Sequence, residues 1–406
     1  MSLPHAPAAW YVVLVTTAAQ MVVAMGNIVL PTIAPKVAET LQVDPVLVGY
    51  HVGLTFGVAT VTSVYSGIAT LRWGPAAATQ LAMVSTLAGL GLFALPHVAY
   101  IVAGSVLVGI GMGMAAPAAA QLLVKHTSAE RRNLMFAIKQ TGVPLGGVLV
   151  SLTAPALAVT VGWQWALAFI AAFAIATLVL ARRARGAWDR ERQPAANARA
   201  EPFGGVPLVW RLEPLRWISL AAVLFSAAQR ILLSFTVVYL VAERGYGLVE
   251  AGIMLSVAQI GGSVSRIPWG WLADRLRSGV AVLTLIGLIM MLCSLALIAF
   301  DAEWPKPVVY LLFLGLGASC VGWNGLVHAE CARLSPAGSI SLVAGGTSFF
   351  IYGGVMLGPP VFSAAYAVTE SYGMTFWLMV AAAVGALGFL YLAARTARNA
   401  PAPGGR

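Results

Sequence analysis

Charged residues are what this sequence has least of. Only 9% of its 406 residues are Asp, Glu, Lys or Arg, whereas soluble domains carry about 25%. A soluble fold needs surface charge to stay dissolved, so an ordinary soluble protein is excluded. Hydrophobic residues make up 60% of the chain. They form continuous blocks instead of alternating with polar residues, which excludes a membrane β-barrel and predicts membrane-spanning helices.

Cysteines and the usual catalytic motifs are also scarce. The three cysteines, Cys293, Cys320 and Cys331, lie in apolar runs, so no disulfide framework is expected. The sequence contains no HExxH, GxSxG or GxxxxGK[ST] pattern and no clustered metal-ligand spacing. We therefore expect no enzyme activity, no cofactor, no bound metal and no ATP-driven step. A polytopic membrane enzyme, a pore or a receptor stay open as minor alternatives.

Apolar stretches of the length that crosses a bilayer, about 20 residues, recur twelve times. They cover roughly 10–34, 46–70, 76–96, 98–123, 134–160, 163–182, 217–242, 247–271, 280–300, 308–330, 342–367 and 373–394. A polar stretch rich in Arg, Glu, Pro and Ala separates the first six from the last six. The sequence thus predicts an all-α polytopic membrane protein, with a six-helix bundle over 1–183, a cytoplasmic linker loop over 184–215 and a second bundle over 216–406.

The basic residues give this protein an orientation. Eighteen of the 24 Lys and Arg residues fall on the face that holds both termini and the even-numbered loops, and three fall on the opposite face. The positive-inside rule then predicts cytoplasmic termini in a bacterial inner membrane. The net charge of +10 is therefore interpreted as an insertion signal and not as a sign of nucleic-acid binding. The expected partners are the lipid bilayer and a small molecule, and the expected state is a monomer.

A loop pattern occurs twice at cytoplasmic helix ends. Gly270 to Arg277 reads GWLADRLR, and Gly67 to Gly74 reads GIATLRWG, with an offset of 203 residues. In the second copy the glycine permits close helix contact, and the acid and base can latch neighbouring helices through charge-assisted bonds. The alternative is a solvated turn that carries topology signals. The latch candidates are Gly270, Asp274, Arg275 and Arg277, with Arg72 in the first copy, where Leu71 replaces the acid.

These motifs resemble the major facilitator superfamily of secondary transporters. GWLADRLR is similar to the family's G-x-L-a-D-R-x-G/R loop motif. Ser105 to Gly113 is similar to its R-x-L-x-G-x-G-x-G pattern, with Ser105 in place of the Arg that many members use in proton coupling. The Gly/Pro-rich stretch Gly142 to Gly147 is also common in the family. The resemblance implies twelve helices in two pseudo-symmetric six-helix bundles that alternately open a midplane site to either side.

Three basic residues lie within the apolar spans, and no acid lies near the middle of one. Arg230 is about 20 Å from either end of its span, Arg266 about 12 Å deep and Lys139 about 10 Å deep. A charge at the bilayer centre costs roughly 2.5–3.5 kcal/mol on insertion scales, so such residues tend to face a cavity or a partner. Arg230 could instead be a structural cation, and Lys139 could snorkel. The candidate substrate-binding residues are Arg266, Arg230, Lys139, Asn27, Gln259, Trp323 and Asn324, of which the amides could also be interhelical glue and Trp323 packing.

Arg266 carries a more specific resemblance. Gly262 to Gly270 is similar to the eighth helix of monocarboxylate and oxalate-type carriers, in which an Arg four residues before the latch glycine holds the substrate carboxylate. The predicted function is therefore secondary transport of a small organic anion, a carboxylate. The alternative is a proton-coupled drug or multidrug exporter of the same fold. If transport is coupled to protons, the candidates to carry the proton are the substrate carboxyl, His51 and Glu330. His51 could instead be an interfacial residue.

Overall fold

The computed structural model describes residues 9–127, 132–189, 205–301, 303–336 and 339–399. Within these ranges the regular structure is helical, apart from one 3₁₀ turn at Pro45–Leu47. The helices are α1 (Ala9–Leu41), α2 (Val48–Trp73), α3 (Pro75–Phe93), α4 (Val98–His126), α5 (Arg132–Gln140), α6 (Gly142–Thr160), α7 (Trp163–Trp188), α8 (Gly205–Arg211), α9 (Glu213–Ala242), α10 (Leu248–Val264), α11 (Arg266–Leu276), α12 (Gly279–Ala299), α13 (Lys306–Cys320), α14 (Asn324–Arg333), α15 (Ile340–Thr369), α16 (Tyr372–Thr375) and α17 (Trp377–Asn399).

Twelve helical stretches are long and apolar enough to cross a membrane, which confirms the predicted number of spans and the all-α class. Four spans consist of two helices each, and proline explains two of the breaks. Pro144 and Pro268 have no backbone N–H, so the carbonyls of Gln140 and Val264 lose their i+4 donor. Helix α5 ends at Gln140 and α10 ends at Val264. The tenth span is also interrupted, because α13 ends at Cys320 and α14 begins at Asn324.

The stretch predicted as a linker loop over 184–215 is helical at both of its ends. Helix α7 continues to Trp188, which is buried and lies 5.9 Å from the ring of Tyr11. Three arginines lie in the last two turns of α7, where cations are favoured by the helix dipole. At the other end, α8 buries Val209. Helices thus extend into a stretch whose sequence has no helical pattern of apolar residues, because single apolar side chains in it are buried by tertiary contacts.

The chain divides into two compact units. The first contains the described residues up to 189 together with Leu240–Ala242 and Tyr246–Ser256. The second contains the other described residues from 205 onwards. Each unit holds the greater part of six of the twelve candidate spans.

Glycines of α4 allow close helix packing in the first unit. A Cβ atom built on Gly109 would lie 2.6 Å from the Thr55 carbonyl oxygen of α2, and one built on Gly111 would lie 2.8 Å from the Ala82 carbonyl oxygen of α3. Gly109 and Gly111, two positions apart in the glycine pattern, therefore pack against different helices. Close backbone approach through small residues is a common basis of helix packing in membranes.

Substitution of Gly111 tests this packing. Gly111→Ala should lower the melting temperature of the purified protein, because overpacking a tight contact costs about 1–3 kcal/mol. Gly91→Ala in α3 is the matched control, since a Cβ there would meet nothing within 4 Å. The control should be neutral or slightly stabilising, because alanine is the better helix former. Equal shifts in both variants would contradict the packing role of Gly111.

Candidate functional site

The second unit contains a cavity of about 640 Å³ between α11, α14 and the start of α12. Its charged lining residues are Arg266, Asp274, Arg277, Glu330 and Arg333. Four of these five are residues that the sequence marks as binding, latch or coupling candidates. The fold therefore brings three separately predicted roles to the wall of one cavity.

Arg266 is the first residue of α11, immediately after the break that Pro268 causes. The start of α11 is held to α13 by Trp269, whose indole N–H donates to the Ala318 carbonyl at 2.9 Å. The Nε atom of Arg266 is buried, and it makes no hydrogen bond to any residue in the described ranges. No carboxylate in those ranges forms an ion pair with its guanidinium. The Arg266 side chain thus lines the cavity without an acceptor from the described residues, which leaves this cation to bind an anion that enters the cavity.

Glu330 and Arg333 form an ion pair on the same cavity wall. Arg333 donates from Nε to Oε2 of Glu330 at 3.0 Å and from Nη2 to Oε1 at 2.6 Å. Glu330 is only 4% exposed, whereas the Arg333 side chain is 61% exposed. The bidentate geometry is the strong form of an Arg–carboxylate contact. In total the lining holds three guanidinium groups and two carboxylates, so its formal charge is +1.

The helix and ion-pair contacts expected of the latch at the end of α11 are not formed in this structure. A Cβ built on Gly270 would meet nothing within 4 Å, so the close helix contact expected there is absent. The Asp274 carboxylate is exposed and makes no ion pair with a described residue. Arg275 instead lies over the Trp271 ring of its own helix, 5.4 Å from the centroid. Arg277 ends α11 in the left-handed region at φ 51. The latch stays a prediction.

In the first unit the fold brings Asn27 and His51 together. His51 is 6% exposed, and its Nδ1 lies 2.7 Å from the Ser105 hydroxyl of α4. The Asn27 backbone carbonyl of α1 approaches the same imidazole, and Phe93 packs against it edge-on at 5.4 Å. Ser105, the residue that replaces the family's Arg, is thus the partner of His51. Both line an otherwise mainly apolar cavity of about 350 Å³.

Asn324, Trp323 and Arg230 lie in the second unit around α9 and α14. Asn324 donates to the Gln229 side-chain oxygen at 3.2 Å, which links α14 to α9 next to Arg230. Arg230 interacts electrostatically with Tyr352 of α15. Trp323 is fully buried, stacks on Phe225 at 5.6 Å and donates its N–H to the Cys320 carbonyl. This places Trp323 in the packing of the bundle and leaves its predicted substrate contact untested.

The remaining candidates lie elsewhere. Lys139 of α5 belongs to the first unit, is buried and donates to the side-chain oxygen of neighbouring Gln140 at 3.2 Å. Gln259 of α10 is buried in the second unit and is not among the residues that line the 640 Å³ cavity. Arg72 is exposed in the last turn of α2.

The structure adds one residue that the sequence does not point to. Asp189 follows α7, and its Oδ1 accepts a hydrogen bond from the Ala76 N–H at the start of α3 at 2.8 Å. Gly74 ends the first loop copy at φ 95, and a Cβ there would collide with the Asp189 side chain. Asp189 therefore supplies a carboxylate to the loop copy that has Leu71 in place of the acid. A separation of 113 residues between Asp189 and Ala76 hides this contact in the sequence.

Comparison with known proteins shows which family the chain belongs to. Residues 16–359 match the Major Facilitator Superfamily. The chain belongs to the Major Facilitator Superfamily. This confirms the superfamily resemblance read from the loop motifs, whereas the resemblance to monocarboxylate and oxalate-type carriers is not tested by the match.

Curated relatives within the superfamily are distant. An MFS-type transporter of Mycobacterium tuberculosis, described as uncharacterised, is 27% identical over 54% of this chain and 48% of its own length. The membrane sensor protein UhpC of Salmonella typhimurium is 25% identical over 60% of each chain. This chain thus spans about half to three-fifths of the length of the curated relatives it matches.

Solved structures share the superfamily fold. A bacterial homologue of the human lysosomal transporter Spinster, in an inward-facing and unoccupied conformation, aligns with a TM-score of 0.77 at 16% identity and covers 98% of this chain and 100% of that chain. A D-xylose–proton symporter aligns with a TM-score of 0.72 at 14% identity, over 94% and 97% of the two chains. At these identities the likeness shows the fold alone.

The Asp189 contact generates a local prediction. Asp189→Ala should destabilise the protein by about 0.5–2 kcal/mol, the usual cost of losing a helix N-cap, and should lower the melting temperature. Hydrogen exchange should accelerate at the amides of residues 76–79. Asp301→Ala, which removes an exposed acid from a loop of the second unit, is the control and should leave these amides unchanged. Unchanged exchange in Asp189→Ala would show that the contact does not hold α3.

Proposed function

We propose that this protein is a secondary active transporter of a small organic anion, specifically a carboxylate, that works by alternating access. The observation that carries the proposal is the Arg266 guanidinium. It lines a 640 Å³ cavity, its Nε is buried, and no described residue provides it with an acceptor. A carboxylate matches this donor because the planar guanidinium fork can donate two parallel hydrogen bonds.

The charge of the cavity also supports an anion. Its lining has a formal charge of +1, and the buried acid Glu330 is already occupied by Arg333. A cationic drug would meet a wall of net positive charge, and the one buried carboxylate of that wall, Glu330, is already paired. This favours an anion carrier over the proton-coupled exporter of the same fold.

The other predicted residues have secondary roles in the proposal. Arg230, next to the Gln229–Asn324 hydrogen bond, adds a second deep cation to Arg266 in the second unit. Lys139, Asn27, Gln259 and Trp323 are kept as substrate-binding candidates. His51 and Glu330 are kept as the buried groups that could exchange a proton with a coupled substrate. Gly270, Asp274, Arg275, Arg277 and Arg72 are proposed to close a cytoplasmic latch in another conformation of the transport cycle.

Variants of Arg266 test the anion site. Arg266→Gln should abolish binding of acetate, benzoate and monomethyl succinate, whereas Arg266→Lys keeps the charge but loses the fork and should weaken binding about ten-fold or more. Arg395→Gln removes an exposed cation from the same unit and should bind like the wild type. Binding is measured by isothermal titration calorimetry on the purified protein, with folding checked by the melting temperature.

Other results would contradict the anion site or the transport function. Wild-type carboxylate affinity in folded Arg266→Gln would refute the anion site, and tight binding of the cationic dye rhodamine 6G would favour the exporter. Because one relative is named a membrane sensor, transport is assayed separately as counterflow of the bound acid in proteoliposomes. Binding without counterflow would contradict the transporter.

The proposed orientation in a bacterial inner membrane places both termini in the cytoplasm. Single cysteines at Glu303 and Arg395, both exposed, lie on opposite predicted faces. In a background in which Cys293, Cys320 and Cys331 are replaced, a membrane-impermeant maleimide added to intact cells should label Glu303→Cys and not Arg395→Cys. The reverse pattern would invert the topology. Lysed cells, in which both positions should react, are the control for expression and accessibility.

A further inference from the structure

We infer that Glu330 sets the charge of the anion that this protein accepts, as a built-in counter-ion that limits the Arg266 cavity to a singly charged ligand. The inference rests on the proposed function only in taking that cavity as the anion site. It gives Glu330 a selectivity role at neutral pH that is distinct from carrying a proton.

The geometry surrounds the Glu330 carboxylate with positive partners. Both of its oxygens are bonded by Arg333 at 3.0 and 2.6 Å, and the side chain is 4% exposed. Its Oε2 also reaches the first residue of α12, where a Cβ on Gly279 would lie only 2.7 Å away. The positive end of a helix dipole favours a carboxylate at this position. Arg333 and the start of α12 therefore both attract the Glu330 carboxylate.

Burial makes Glu330 the acid that counts most in the cavity. Asp274, the other acid of the lining, is exposed, so water and salt screen its charge. Glu330 is shielded from solvent, so its charge is screened less than that of Asp274 for a ligand bound in the cavity. A bound anion gains from Arg266 and is repelled by Glu330, which also keeps the Arg333 fork occupied.

The formal charges of the lining residues predict which anions the cavity prefers. In formal charge, the three guanidinium groups of the lining exceed its two carboxylates by one. Arg277 and Arg333 are exposed like Asp274. Arg266 and Glu330 are therefore the charges that solvent screens least. A dianion would leave a net negative site and would have to compete with Glu330 for Arg333. Removing the Glu330 charge changes the lining to +2 and frees the Arg333 fork for a second carboxylate. The preference should then change from a monoanion to a dianion.

A matched pair of ligands isolates charge from shape. Succinate is a dianion at pH 7, and monomethyl succinate has the same carbon skeleton with one charge. Both are titrated into the purified full chain at pH 7 and 150 mM NaCl by isothermal titration calorimetry. The wild type should prefer monomethyl succinate. Glu330→Gln keeps the shape and should shift the affinity ratio toward succinate by about ten-fold or more, because a buried charge on the cavity wall is lost.

Two further variants make the result specific. Glu330→Asp keeps the charge and should retain the wild-type preference if it folds. Glu303→Gln, which removes an exposed acid from a loop of the same unit, should leave the ratio unchanged. If Glu330→Gln does not fold, Arg333→Gln tests the same balance, because it lowers the lining charge to zero and should weaken monomethyl succinate binding.

The outcomes separate this inference from the proposed function. If Arg266→Gln loses binding but Glu330→Gln keeps the wild-type ratio, the anion site stands and the counter-ion role is overturned. The counter-ion role is also overturned if Glu303→Gln shifts the ratio as strongly as Glu330→Gln. If Arg266→Gln binds both ligands like the wild type, or the wild type binds neither ligand, the anion site fails and the inference falls with it.

Discussion

A lipid bilayer offers no water to a buried charge or to a broken backbone hydrogen bond, and this constraint shapes the whole chain. Backbone groups must be satisfied within helices, so the described residues form helices over all twelve candidate spans. Charges within the spans are expensive and therefore few. Glu330, for example, forms an ion pair with Arg333, and Arg266 lines a cavity.

Two of the four helix breaks lie next to the candidate site, and the same constraint applies to them. Pro268 interrupts the eighth span at the residue before Arg266, and the tenth span is interrupted just before Asn324. Interrupted helices in a membrane are tolerated where they border a cavity or where other groups satisfy the backbone. Here Trp269 bonds the Ala318 carbonyl across one break, and Asn324 bonds Gln229 beside the other. The breaks therefore lie where polar side chains meet.

The two loop copies show how a lost residue can be replaced from a distant part of the chain. The first copy lacks an acid, and Asp189 of another helix end supplies one to the start of α3. The second copy keeps its acid, yet Asp274 makes no ion pair with a described residue and instead borders the cavity. Sequence similarity between the copies thus does not carry over into similar contacts, because the surrounding packing decides whether a donor lies near the carboxylate.

The sequence by itself determined the membrane class, the twelve spans, the superfamily and the short list of intramembrane cations, because hydropathy and sparse charge are properties of the chain that need no contacts. Only the tertiary structure decided which of these residues meet. The Ser105 partner of His51, the burial of Trp323 against Phe225, the cap from Asp189 and the common cavity of Arg266 and Glu330 all join residues far apart in sequence. Such contacts depend on how helices rotate and pack, which local patterns do not encode.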